Sequence, residues 1–276
     1  MKSYLKLVNF EVNRFFNIYL ILIGITILSQ VIGSFAVSKG YMNEANQMIN
    51  ENLMPKSQFI EQFGTLSFYQ IVFSGWFLLP IALCITTLMI YVFFIWYRDW
   101  FGKNTFIYRL LMLPVERINI YFAKLTAIMF FVLGFIALQI LLIPIEMQIL
   151  KSIVPADFRT DFPFHEIFNL NIMNWFYPNT IIEFIVVYGT GLIFVSVLFT
   201  AILLERSYRL KGIFFAIVYG ILSFLVFFAP ILLSIFFTRD YFYPIEIFVM
   251  ELVAGVIVLV SAIWIANHLL KRKIRV

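Results

Sequence analysis

Few residues in this chain have the type and spacing that a reaction needs. The two histidines, His165 and His268, stand 103 positions apart, and His165-Glu166 is an isolated pair, with no His-Glu-x-x-His around it. The single cysteine, Cys84, lies in an apolar run, so it has no disulfide partner within the chain and no ligand cluster beside it. It reads as a small core residue. A phosphate-cradling loop needs Gly-x-x-x-x-Gly-Lys-Ser/Thr. The nearest approach, Gly33 to Lys39, carries Ser38 where the second glycine belongs. No Gly-x-Ser-x-Gly is present. These absences argue against catalysis by this chain. The acids set in or beside apolar runs remain: Glu146, Glu183, Glu246 and Glu251. A charge at the centre of a membrane helix costs about 2.5–3.5 kcal/mol on insertion scales. Glu146, Glu183 and Glu246 avoid that cost if they lie at helix ends, whereas Glu251 is more than a turn inside its run. Glu183, Glu246 and Glu251 form a candidate outer vestibule that attracts cations or relays protons. The alternative is interfacial acids that reach headgroups or water.

The elements that position these groups are long and apolar. Hydrophobic residues make up 63% of the 276 positions and charged residues only 13%, against about 25% charged in a soluble domain. A membrane helix needs about 20 apolar residues. Six runs qualify: 15–37, 70–96, 122–146, 180–204, 212–237 and 246–269. Backbone polar groups cannot stay unpaired in lipid, so each run should be helical. The reading is an all-α polytopic membrane protein, a single transmembrane domain over 1–276. Two small-x-x-x-small pairs, Ser29/Gly33 and Ala216/Gly220, would permit close helix approach.

Charge sorts along the chain with these runs. With the N-terminus inside, 15 of the 20 Lys and Arg fall in alternate gaps and at the two ends. Lys and Arg resist translocation, so both termini should be cytoplasmic. The net charge of +5 then reflects residues that meet anionic headgroups, and no patch suited to nucleic acid exists. Segment 3–14 places Leu5, Val8, Val12 and Phe15 at helical spacing. It reads as an amphipathic interfacial helix or as the first turns of span one. The outside loop 38–68 should hold a short helix near Asn43–Asn52. Phe164–Pro178, rich in aromatics, should lie on the outer surface. Pro230 would bend span five or break it into a re-entrant element.

The gap 97–124, YRDWFGKNTFIYRLLMLPVERINIYFAK, is the most informative local stretch. Gly102 and Pro114 punctuate an apolar helical core, Phe106–Leu113. It reads as a short helix parallel to the inner surface, or as an ordinary basic loop. Its pattern of Gly102, Thr105, Leu110, Leu111, Leu113, Pro114, Val115, Arg117 and Lys124 resembles the first cytoplasmic loop of ABC-2 type transporter permeases. The motif covers about 25 residues, and the six-span layout resembles that family over the whole chain. The chain departs from the family in the two residues between Gly102 and Thr105, and in a loop between spans five and six too short for the family's extracellular element. The resemblance implies a coupling helix that docks on an ATP-binding subunit, with Asp99, Lys103, Thr105, Arg109, Pro114, Glu116 and Arg117 at the contact. It further implies a second permease copy or a related permease, with ATP and Mg held by the partner subunit and no cofactor on this chain. Localisation would be a bacterial plasma membrane. Spans two and five would line a route for an amphipathic peptide, antibiotic or lipid-like substrate moving outward. The rival readings are a non-transporting adaptor or immunity protein and half of a secondary transporter.

Overall fold

The computed structural model describes residues 2–51, 53–101, 106–112, 115–163, 166, 177–178, 180–208, 210–236 and 242–274. Among them the elements run α1 (Lys2–Asn50), α2 (Lys56–Phe63), β1 (Leu66–Ser67), α3 (Phe68–Val72), α4 (Gly75–Trp100), α5 (Phe106–Leu111) and α6 (Ile118–Ile153). A 3-10 turn (Ala156–Phe158) and β2 (Arg159–Thr160) follow, then α7 (Ile181–Tyr208), α8 (Leu210–Phe236), α9 (Pro244–His268) and a π turn (Leu269–Lys273). Six helices, α1, α4, α6, α7, α8 and α9, are long and apolar enough to cross a membrane. Each coincides with one of the expected runs.

The differences lie at the ends of the runs. Segment 3–14 is not a separate interfacial helix, because α1 is continuous from Lys2 to Asn50. The helix expected near Asn43–Asn52 is its last turns. No proline occurs before Pro55, so nothing removes a backbone donor until then. At about 1.5 Å per residue the 49 residues of α1 extend roughly 74 Å, far beyond the ~30 Å of hydrocarbon. The run 70–96 is interrupted near its start. Helix α3 stops at Val72, and Phe77 and Leu78 both donate their backbone N–H to the Ser74 carbonyl at 3.1 Å to begin α4. Pro230 does not break α8, which continues to Phe236. Phe164–Pro178 falls almost wholly outside the described residues. Among the described residues the strand content is a two-residue parallel pairing, Leu66 with Arg159 and Ser67 with Thr160.

The chain forms two compact units. The first comprises Met1–Arg14, Met89–Phe130 and Thr180–Val276, and the second Phe15–Leu88 and Phe131–Asn179. The first unit centres on three buried rings. Phe199 meets Trp96 and Tyr121 edge-on, with centroids 5.6 and 5.7 Å away. Small residues let α9 approach: a Cβ on Gly255 would lie 3.1 Å from Ile193 and 3.4 Å from Phe227. Helix α8 turns its large side chains outward, Phe214, Ile217, Ile221, Phe224 and Leu225 among them. Only lipid or another apolar surface solvates such a face.

The second unit packs Phe59, Leu66, Phe68, Ile71, Phe77, Ile143, Leu150 and Phe158 into one core. The small pair Ser29/Gly33 works inside this unit. Ser29 Oγ donates to the Trp76 carbonyl at 2.9 Å, and a Cβ on Gly33 would collide with the Trp76 side chain. Gly220 of the other pair has nothing within 4 Å.

Candidate functional site

The first unit holds a cluster of five charges at the segment that the sequence singled out. Lys124 lies in the second turn of α6 and is fully buried. An ammonium has three donors and no acceptor. Lys124 Nζ directs them at Glu11 Oε1 (2.8 Å), Asp99 Oδ2 (2.5 Å) and the Ile95 carbonyl (2.8 Å). Asp99, also fully buried, uses its other oxygen to accept from Arg14 at 2.6 Å. Glu11 Oε2 accepts from Arg98 at 3.3 Å, with Arg14 3.9 Å away. The two guanidiniums remain partly exposed, at 23% and 30%. Two acids thus face three cations drawn from α1, α4 and α6. Isolated charges could not be buried this way, because the desolvation cost is repaid only when partners and hydrogen bonds saturate them. Apolar walls hold the cations as well: Lys124 Nζ lies 5.2 Å above the Trp96 ring and Arg14 5.1 Å above Phe10.

The flanks of the cluster bind the same segment to other elements of the unit. Tyr97 donates a short hydrogen bond to Glu205 on α7. The Arg206 guanidinium lies 4.7 Å above the Tyr97 ring. Tyr121 donates to the Ser196 carbonyl at 2.9 Å, and Thr200, its neighbour on α7, donates to Ala262 on α9 at 3.1 Å. Arg117 reaches the π turn and donates to the Leu270 and Ile274 carbonyls at 2.7 and 3.0 Å. A π turn shifts the backbone ladder by one residue, and here the Leu270 carbonyl within it and the Ile274 carbonyl just after it take a guanidinium.

The expected contact residues therefore separate into distinct roles. Asp99 faces inward, saturated by Lys124 and Arg14. Arg117 clamps the C-terminal turn. Arg109 and Glu116 are exposed. The short helix α5 buries Ile107, Leu110 and Leu111 and leaves Met112 out. Lys103, Thr105 and Pro114 lie outside the described residues. Of the vestibule acids, Glu183 is exposed in the first turn of α7. Glu246 caps α9 by accepting from the Tyr243 backbone N–H at 2.9 Å. Glu251 is half-buried, and its Oε2 has no hydrogen-bond partner among the described residues.

Sequence reasoning missed Glu11, Arg14 and Arg98 as partners of Asp99 and Lys124. The i,i+3 pair Glu11/Arg14 was visible, but nothing local joins it to position 99. Glu146 was misplaced at a helix end. Helix α6 runs seven residues further, to Ile153, and Glu146 is fully buried. Among the described residues no three His, Cys, Asp or Glu side chains converge on a metal position.

Compared with protein-family models, curated proteins and solved structures, the chain matches none. The fold defines a class on its own: a protein with six helices long and apolar enough to make it a multi-pass membrane protein.

Proposed function

We propose that this chain is the membrane-spanning subunit of an ATP-driven exporter of the ABC-2 type, with its basic helix ends on the cytoplasmic side. One observation supports this above the others. Segment 97–124 offers exposed charge at Arg109 and Glu116, while its Tyr97, Asp99, Arg117 and Lys124 are bonded to α7, α1, the C-terminal turn and α1 in that order. A lever has this form. A partner that engages Arg109 and Glu116 would act between anchors at Asp99 and Lys124 that are buried and hydrogen-bonded. The chain carries no phosphate-cradling loop, so hydrolysis belongs to a separate ATP-binding subunit that holds ATP and Mg. A second permease copy or a related permease completes the assembly. The exposed aromatics Phe73 and Trp76 of the run 70–96 would suit an amphipathic peptide, antibiotic or lipid-like substrate moving outward.

The test is co-purification of the tagged chain from its host in mild detergent, with ATP hydrolysis assayed on the eluate. The expected result is a stoichiometric ATPase. The charge reversal R109E/E116K should weaken its capture roughly tenfold or more while leaving the melting temperature unchanged. A wild-type chain that elutes alone and hydrolyses nothing refutes the exporter reading and favours a non-transporting adaptor or immunity protein.

A further inference from the structure

The second unit carries a buried polar track that is only partly satisfied among the described residues. Gln30 Nε2 donates to Gln139 Oε1 at 3.1 Å and to the Phe77 carbonyl at 3.4 Å. Beyond this pairing the track is orphaned. Gln30 Oε1, Gln139 Nε2, Ser34 Oγ, Ser38 Oγ and both oxygens of Glu146 are buried with no hydrogen-bond partner among the described residues. All five residues are at most 4% exposed, and Ser34, Ser38 and Glu146 are fully buried.

Helix geometry brings the far end of the track together. The Gln30–Gln139 bond sets α1 and α6 level at that point. Val37 and Tyr41 of α1 pack on the same core as Ile143, Met147 and Leu150 of α6, so the two helices advance in the same direction. At about 1.5 Å per residue, Ser38 lies roughly 12 Å beyond Gln30, and Glu146 roughly 10 Å beyond Gln139. Ser38 and Glu146 are therefore level. Ser34 is one turn behind Ser38 on the same face of α1. The result is a group of oxygens, both carboxylate atoms and two hydroxyls, buried and without a hydrogen-bond partner among the described residues.

Oxygen-only sets of this kind are the chemistry of hard cations. The charge count selects the valence. One carboxylate neutralises one positive charge, whereas a divalent ion would leave an unpaired charge in a dry interior. A trapped water would leave the carboxylate uncompensated. We propose that Glu146, with the Ser34 and Ser38 hydroxyls, binds one largely dehydrated monovalent cation, Na+ or K+. The Gln30–Gln139 bond then fixes the helix register that keeps those oxygens level. The proposal does not rest on the exporter reading, since its test needs no ATPase partner.

The experiment uses the full chain in lipid nanodiscs, melted in NaCl, KCl or choline chloride at equal ionic strength. Na+ or K+ should raise the melting temperature saturably, by roughly 2–4 °C over choline at a concentration well above half-saturation, and the better ion identifies the occupant. E146Q keeps the side-chain shape and should abolish the salt response. S34A/S38A should raise the half-saturating concentration about tenfold or more, and it serves as the second variant if E146Q fails to fold. Equal melting in all three salts for the wild type overturns the proposal, as does a response that survives E146Q. A wild type that responds to pH and not to the cation identifies a proton as the occupant and overturns it as well.

Discussion

Replacing Lys124 with Met removes the most enclosed cation of the five-charge cluster while nearly conserving its length and volume. The mutant loses one hydrogen bond to Glu11, one to Asp99 and one to the Ile95 carbonyl. Both acids stay buried. Asp99 keeps Arg14 at 2.6 Å and Glu11 keeps Arg98 at 3.3 Å, but those guanidiniums are 23% and 30% exposed and their charges are partly screened. Breaking a buried pair from one side typically costs about 3–5 kcal/mol. For a chain of this size that is roughly 6–10 °C of melting temperature, at about 2 °C per kcal/mol. Asp99→Asn should cost a similar amount, because it strands Lys124 with one carboxylate. The double mutant removes Lys124 and Asp99 together and leaves only Glu11 to lean on Arg98, so its cost should fall short of the sum by about 2–3 kcal/mol. Thermal melts in one detergent, followed by tryptophan fluorescence, provide the cycle, and Trp96 beside Lys124 reports locally. The reasoning is refuted if either single mutant shifts the midpoint by less than about 2 °C, or if the two costs simply add.

Two further substitutions probe the packing. Gly33→Ala should destabilise by about 1–3 kcal/mol, because the new methyl meets Trp76 close to its backbone and the ring cannot swing away. Gly220→Ala, which meets nothing, should be neutral or slightly stabilising; equal effects of the two in thermal melts would contradict the assignment. Tyr121→Phe removes the donor to the Ser196 carbonyl and should cost about 0.5–1.5 kcal/mol, read as a melting shift of roughly 1–3 °C.

Run length and hydropathy made all six long helices legible, because lipid leaves the backbone no alternative to helix. Their ends were less legible. Arg14 looks like a boundary since it is charged, yet charge alone does not stop a helix that has no proline before position 55. Pro230 looks like a breaker, yet α8 passes through it. Within the candidate site, Asp99, Lys124 and Arg117 stood out by position. Their partners at 11, 14, 270 and 274 did not, since pairing over such separations is written in the tertiary packing and in no local spacing. Glu146 was visible as an acid near an apolar end. Its meaning depends on Gln30, Ser34, Ser38 and Gln139 sharing one interface, a register fixed only when α1 and α6 meet.

The clamp that Arg117 places on the π turn also orders events during synthesis. Its two acceptors lie 153 and 157 positions later in the chain. At about 5–20 residues per second, Arg117 is joined to the chain roughly 8–30 s before either carbonyl exists. Over that interval water or a lipid phosphate must satisfy it. The Arg117 clamp is therefore among the last bonds of the first unit to form, after the segment's ties to Glu11 and Arg14, and a chain cut short before residue 270 would leave the segment without that tether.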